Sequence, residues 1–192
     1  IDLDLEEYAV DVIAVDGGDL TLTYRTFSKD LGKVVQGLKV REEAGVLYLE
    51  EFNESKRTFA DLENQCVTIQ VPKDQLEAIN IQANRNIHLE GFALKDMDIE
   101  SEYGTIMVKA CQWEQGSLSA ELGRISVVDS DVKQTSISTK VGEILVGNCV
   151  LESSSLETEV GSIKGDLRFV KALDLTLDMG SADLRFNQPR SE

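Results

Sequence analysis

The sequence predicts an all-β protein: a single-stranded, right-handed β-helix-like solenoid with 19-residue rungs, preceded by irregular capping strands. Three observations predict it. Glycine recurs every 19 residues, at Gly104, Gly123, Gly142, Gly161 and Gly180. Apolar columns recur on either side of it in the same register. Within each repeat, as in "SISTKVGEILV", apolar and polar residues alternate with the period of two that marks strands.

Aligning on the glycine gives the columns. Two residues after it stand Ile106, Ile125, Ile144, Ile163 and Ala182, and five before it Ile99, Leu118, Ile137, Leu156 and Leu175. Nine after it stand Trp113, Val132, Leu151 and Val170. These are expected to point inward. A further apolar column one before the glycine holds Tyr103, Leu122, Val141, Val160 and Met179. Chance alignment of five glycines would not bring the apolar columns into the same register. A leucine-rich repeat has a neighbouring period, but no asparagine column follows the leucines and no helix fits between the strands. The calcium-binding nonapeptide pattern is absent as well.

Strands at a fixed period can stack at ~4.8 Å, so each column becomes a line of like residues. One turn cannot bury its apolar face alone, whereas stacked turns can. Each buried Val, Leu or Ile then contributes roughly 1.5–3 kcal/mol of transfer free energy. The glycine is expected at a corner between two strands, where positive φ or close approach to the neighbouring turn is needed. Arg85 takes the glycine place in the first turn, followed in register by Ile87, Leu89 and Leu94. Ile79, Ile81 and Ala83 alternate but slip by one residue. About six rungs are expected over 76–186. Right-handedness follows from the general bias of crossover connections.

Residues 1–75 lack the period. "DVIAV", "DLTLTY", "GVLYLEEF" and "CVTIQVP" read as short strands, separated by turn signals at Gly17-Gly18, Ala44-Gly45 and Pro72-Lys73-Asp74. Residues 28–37 read as a loop or helical turn, and 53–64 as a loop. The segment 1–75 is expected to begin and cap the stack, because bare strand edges invite association. Residues 187–192 form a tail whose proline would stop further pairing.

The stretch "VTIQVPKDQLEAINI", with Val71-Pro72, Leu76, Ile79 and Ile81, followed by the Gly104 series, resembles a family of bacterial β-strand-repeat domains that carries the label adhesin and is catalogued as a domain of unknown function. The resemblance covers most of the chain and departs at Arg85. It implies a right-handed β-helix-like solenoid on envelope proteins, often joined to a membrane segment, and it supplies no catalytic residues.

The chemistry is sparse. The net charge is −16 over 192 residues, which disfavours nucleic acid and anionic membrane surfaces as partners. No apolar run is long enough to span a membrane as a helix, and no signal-peptide pattern is present. Cys66, Cys111 and Cys149 are too scattered for a disulfide framework or a zinc site. Cys111 and Cys149 lie two repeats apart, at ~9.6 Å, beyond the ~7 Å that a disulfide tolerates. His88 is the lone histidine and reads as a surface residue. Glu102, Glu121, Lys140, Glu159 and Asp178 form an outward charged column. A straight ladder offers calcium too few oxygens at once, so it reads as a solvated face. Asp129 and Asp131 could act as paired carboxylates, but the cleft of a polysaccharide-cleaving enzyme also needs bases and aromatic platforms, and Trp113 reads as core.

The expected function is therefore that of a non-enzymatic bacterial cell-envelope module, an adhesin-like binding or spacer domain presenting repeat faces to an envelope protein or glycan. No catalytic residue, metal or cofactor is expected, nor insertion of this segment into a membrane, and the solution state is expected to be monomeric. An anchoring segment would lie outside this chain. A self-assembling β-solenoid scaffold is the alternative, and a carbohydrate-active β-helix enzyme stands behind it.

Overall fold

The computed structural model describes residues 1–24, 36–53 and 65–187. The expectations for most of 28–37 and 53–64, and for the proline tail, lie outside those residues. Among the described residues the chain is all-β with no helix. Its strands are β1 (Asp2–Leu5), β2 (Ala9–Val15), β3 (Thr21–Tyr24), β4 (Gln36–Glu43), β5 (Val46–Asn53), β6 (Cys66–Pro72), β7 (Ala78–Ala83), β8 (Ile87–Glu90), β9 (Ala93–Lys109), β10 (Gln112–Val128) and β11 (Asp131–Phe186). All of them join one sheet.

The long strands pair in parallel at a constant offset. Leu118 faces Ile99 in β9 and Ile137 in β11, and Gly123 faces Gly104 and Gly142. Like residues therefore stack into columns 19 residues apart. Ile106, Ile125, Ile144, Ile163, Leu118, Ile137, Leu156, Val132, Leu151 and Trp113 are buried, and Val170 packs against them half-buried. Leu175 departs from its column, being 42% exposed. It lies in the last layer of the described residues, with a packing neighbour on one side only.

Inward alternation breaks three times in each repeat. In β9 the buried residues are Leu94, Met97, Ile99, Ser101, Ile106 and Val108, so the period of two fails around residues 95–96 and 102–105, and again before Cys111. The chain bends at these places. Glu114 and Glu121 sit at bends and stand outside the ladder that holds their neighbours.

One expectation needs correcting. The glycines do not separate two strands, since the ladder continues through them. The tight turn lies at Ala110, Asp129 and Asn148, with φ of 52°, 53° and 54°, and at Gly91 one layer earlier, with φ of 88°. Asp and Asn tolerate this left-handed conformation because their short side chains bond locally. The glycine column meets both needs: φ is 131°, 150°, 155° and 148° at Gly104, Gly123, Gly161 and Gly180, and the neighbouring layer approaches closely. A Cβ on Gly142 would stand 1.6 Å from the carbonyl oxygen of Gly123.

The first layers follow another logic. β1 and β2 form a layer between β7 and β8 on one side and β5 and β6 on the other. Asp2 faces both Asn80 and Tyr48, and Val10 faces both Ile87 and Val67. The outer edge is covered by antiparallel β3 on β6 and β4 on β5. Ala44 and Gly45, both at positive φ, close the β4–β5 hairpin as a two-residue turn. The slip noted in the sequence is real: β7 meets β9 at an offset of 18 and β8 meets it at 19, as in Ile81↔Ile99 and Ile87↔Ile106. The Arg85–Asn86 corner is one residue shorter than the bend it faces in β9. Asn86 Oδ1 accepts the Thr105 amide at 2.8 Å, and Ser101 Oγ donates to the Arg85 carbonyl at 3.1 Å.

Candidate functional site

Because residues 19 apart stack, the surface is organised as stripes. The first runs along a groove of about 520 Å³ lined by Asp96, Asp98, Gln115, Ser117, Ser136 and Asp174, among others. Its floor passes Gly116, where a Cβ would stand 2.0 Å from the Met97 carbonyl oxygen. The polar groups largely satisfy one another. Ser117 donates to Asp98 Oδ1 through both its amide, at 3.0 Å, and its hydroxyl, at 2.8 Å. Thr135 Oγ1 donates to the Gly116 carbonyl at 3.2 Å, and the Ser136 and Ser155 hydroxyls are 3.1 Å apart.

Beside the groove lies a charge ladder, Lys95, Glu114, Lys133 and Glu152, with alternating sign from layer to layer. Lys133 bonds Glu114 at 2.7 Å, and Lys95 bonds Glu77 at 2.8 Å. The hydrogen bond from Lys133 is the main cause that holds the Glu114 carboxyl below its usual range, and its counterpart raises Lys133. Water screens these exposed pairs, so each contributes little.

The third stripe is a ridge. Tyr103, Leu122, Val141, Val160 and Met179 are 55%, 46%, 46%, 43% and 68% exposed. They stand at the bend beside the glycine column, where two successive residues face outward. Along one flank run Glu102, Glu121, Lys140, Glu159 and Asp178, with Lys140 paired to Glu121.

The remaining candidates do not assemble a reaction centre. Asp129 accepts from Asn148 Nδ2 at 2.6 Å, and Asp131 is paired with Arg168. The Asp129 carboxylate thus ties adjacent layers together, and the Asp131 carboxylate, 37 residues from Arg168, reaches across about two repeats. His88 is half-buried, with Nδ1 3.7 Å from Asp11 Oδ1, and Cys66 Sγ lies 3.2 Å from Asp11 Oδ2. The inserted β2 brings this trio together, a juxtaposition that no motif or spacing signals. Aspartate stands between thiol and imidazole, so the histidine is not placed to take the thiol proton. Cys111 and Cys149 are buried and free. Burial pushes both thiols up, Cys149 to about 11. Among the described residues, no group of three or more His, Cys, Asp or Glu could hold a metal ion.

The sequence matches the Toastrack DUF4097 family over residues 1–191. The chain belongs to the Toastrack DUF4097 family. A crystal structure described as that of a putative adhesin from Bacteroides fragilis shares the Toastrack chain's fold. Its TM-score is 0.62 at 16% sequence identity, and the match covers 95% of this chain and 91% of that one. No curated protein matches the sequence. Among the described residues, no helix is long and apolar enough to cross a membrane, which says nothing of spanning by strands.

Proposed function

We propose that this Toastrack chain is a non-enzymatic module of the bacterial cell envelope that binds or spaces partners through its repeat faces. In this reading the stack is a right-handed β-helix-like solenoid of 19-residue rungs, and the regular rungs hold the surface stripes in fixed register. The observation that carries the reading is the ridge from Tyr103 to Met179. Five aligned apolar residues exposed along one bend fit a contact surface better than a solvated face. The description of the Bacteroides fragilis protein as a putative adhesin agrees with a surface role. No catalytic residue, metal or cofactor is assigned.

A self-assembling scaffold is the second reading. Its support is the exposed last layer, where Leu175, Met179 and Phe186 present apolar surface. Sedimentation velocity over a wide concentration range, with and without calcium, separates the two. A single elongated monomer throughout supports the module. Species that grow with concentration contradict it in favour of the scaffold.

A further inference from the structure

We propose that the ridge of Tyr103, Leu122, Val141, Val160 and Met179 docks a cationic amphipathic helix of a partner protein. This deepens the reading of the chain as a binding module and rests on it.

Four observations carry it. The first is continuity. Leu122 faces Tyr103 on one side and Val141 on the other, so the apolar line is unbroken between adjacent layers. At ~4.8 Å per layer, the five residues span about 19 Å.

The second is the state of the backbone. Leu122 lies within paired strands, not at a sheet edge. A partner strand that docks by main-chain pairing needs a free edge, and here the ridge offers side chains only.

The third is pitch. A helix presents an apolar residue about every 5.4 Å along one face, against ~6.6–6.8 Å for alternate residues of a strand. Against a ~4.8 Å ladder, the helix drifts by roughly 2.4 Å over four steps and the strand by about 7 Å or more. The helix keeps contact along the line and the strand does not. The glycine column beside the ridge carries no side chains and leaves room for the helix backbone to approach.

The fourth is charge. Glu102, Glu159 and Asp178 flank the ridge and have no ion pair among the described residues, while Glu121 is taken by Lys140. The chain as a whole carries −16. Lysines or arginines beside the apolar stripe of the partner would meet these carboxylates. A second copy of this chain would instead bring two acidic flanks together.

The test is fluorescence anisotropy with chain 1–192 and a labelled synthetic leucine–lysine peptide of about 14 residues, long enough at ~1.5 Å per residue to span the ridge. Its leucines lie on one helical face. The control peptide has the same composition with the leucines spread round the helix. The amphipathic peptide is expected to bind at least about tenfold more tightly than the control. Leu122→Ser combined with Val141→Ser is expected to abolish that preference, and Ser136→Ala in the groove to leave it intact. Circular dichroism checks that the variants fold. Val160→Lys alone, at an exposed site that also adds a repelling charge, is the second variant and is expected to weaken the amphipathic peptide. Equal binding of the two peptides, or an unchanged preference in folded ridge variants, overturns the proposal. A dimer in sedimentation that the ridge substitutions dissolve also overturns it, because the occupant is then a second copy. Peptide failure with a monomer in sedimentation removes the ridge as a helix site and leaves the module reading standing.

Discussion

Lys133 Nζ lies 2.7 Å from Glu114 Oε1, the side chain 19 residues earlier in the chain and one layer away in space. Glu152 follows in the same column, so Lys133 separates two carboxylates. Lys133→Glu would stack three of them at ~4.8 Å. The melting temperature is expected to fall slightly at low salt and to recover at high salt. The exchange Glu114→Lys with Lys133→Glu is expected not to restore the loss, because it sets a lysine beside Lys95 and a glutamate beside Glu152. Thermal melts at two ionic strengths check both.

Cys149 has a buried thiol, and burial raises it to about 11 from the ordinary value of 9.0. Between those values the unfolded chain releases a proton that the folded chain keeps. Stability is therefore full below about pH 9 and is lost as the pH rises towards about 11, by roughly 3 kcal/mol at most. Denaturant unfolding along a pH series, with Cys149→Ala as the control, reads this slope. Thiol labelling at neutral pH is expected to modify Cys66 in the native protein and all three cysteines after denaturation.

Ile144 is fully buried in the middle of the stack, whereas Leu175 is 42% exposed in the last described layer. Ile144→Ala is expected to cost about 2–5 kcal/mol, through lost transfer energy and the cavity left behind. Leu175→Ala is expected to cost under about 1 kcal/mol. Chemical denaturation midpoints separate the two.

Ala110 holds φ at 52° without a side chain suited to it. Ala110→Gly relieves a left-handed penalty of about 1–2 kcal/mol, against roughly 0.5–1 kcal/mol of added backbone entropy in the unfolded chain. A gain of up to about 1 kcal/mol is expected. Ala110→Val is expected to destabilise. Paired melts of the two variants give the sign.

The regular half of the fold was legible because its contacts repeat in the sequence. Ile106, Ile125, Ile144 and Ile163 declare their column by spacing alone. The first layers were not legible in the same way. Leu3 packs against Ile81 and Leu49 across separations that no repeat encodes, so β1 escaped notice and the insertion of β1 and β2 could not be foreseen. The tight turn was half hidden. Gly91, Asp129 and Asn148 are suited to positive φ, but Ala110 interrupts their column. The ridge was visible as an apolar column, yet the period of two could not say that it faces out, because the rule fails at bends where Glu102 and Tyr103 both point outward. The ladder of Lys95, Glu114, Lys133 and Glu152 was there to be read at the same spacing, and only the column alignment of charged residues would have found it.

The most direct measurement of the stacking compares Gly142→Ala with Gly147→Ala by denaturant unfolding. A methyl at 142 would stand 1.6 Å from the Gly123 carbonyl oxygen, while one at 147 meets only the Val128 methyls at 3.8 Å. If the layers approach as described, Gly142→Ala costs about 3 kcal/mol by overpacking, and Gly147→Ala stays within about 0.5 kcal/mol of the parent. Equal effects at the two positions would contradict the close stacking of glycine on glycine that sets the register of every surface stripe.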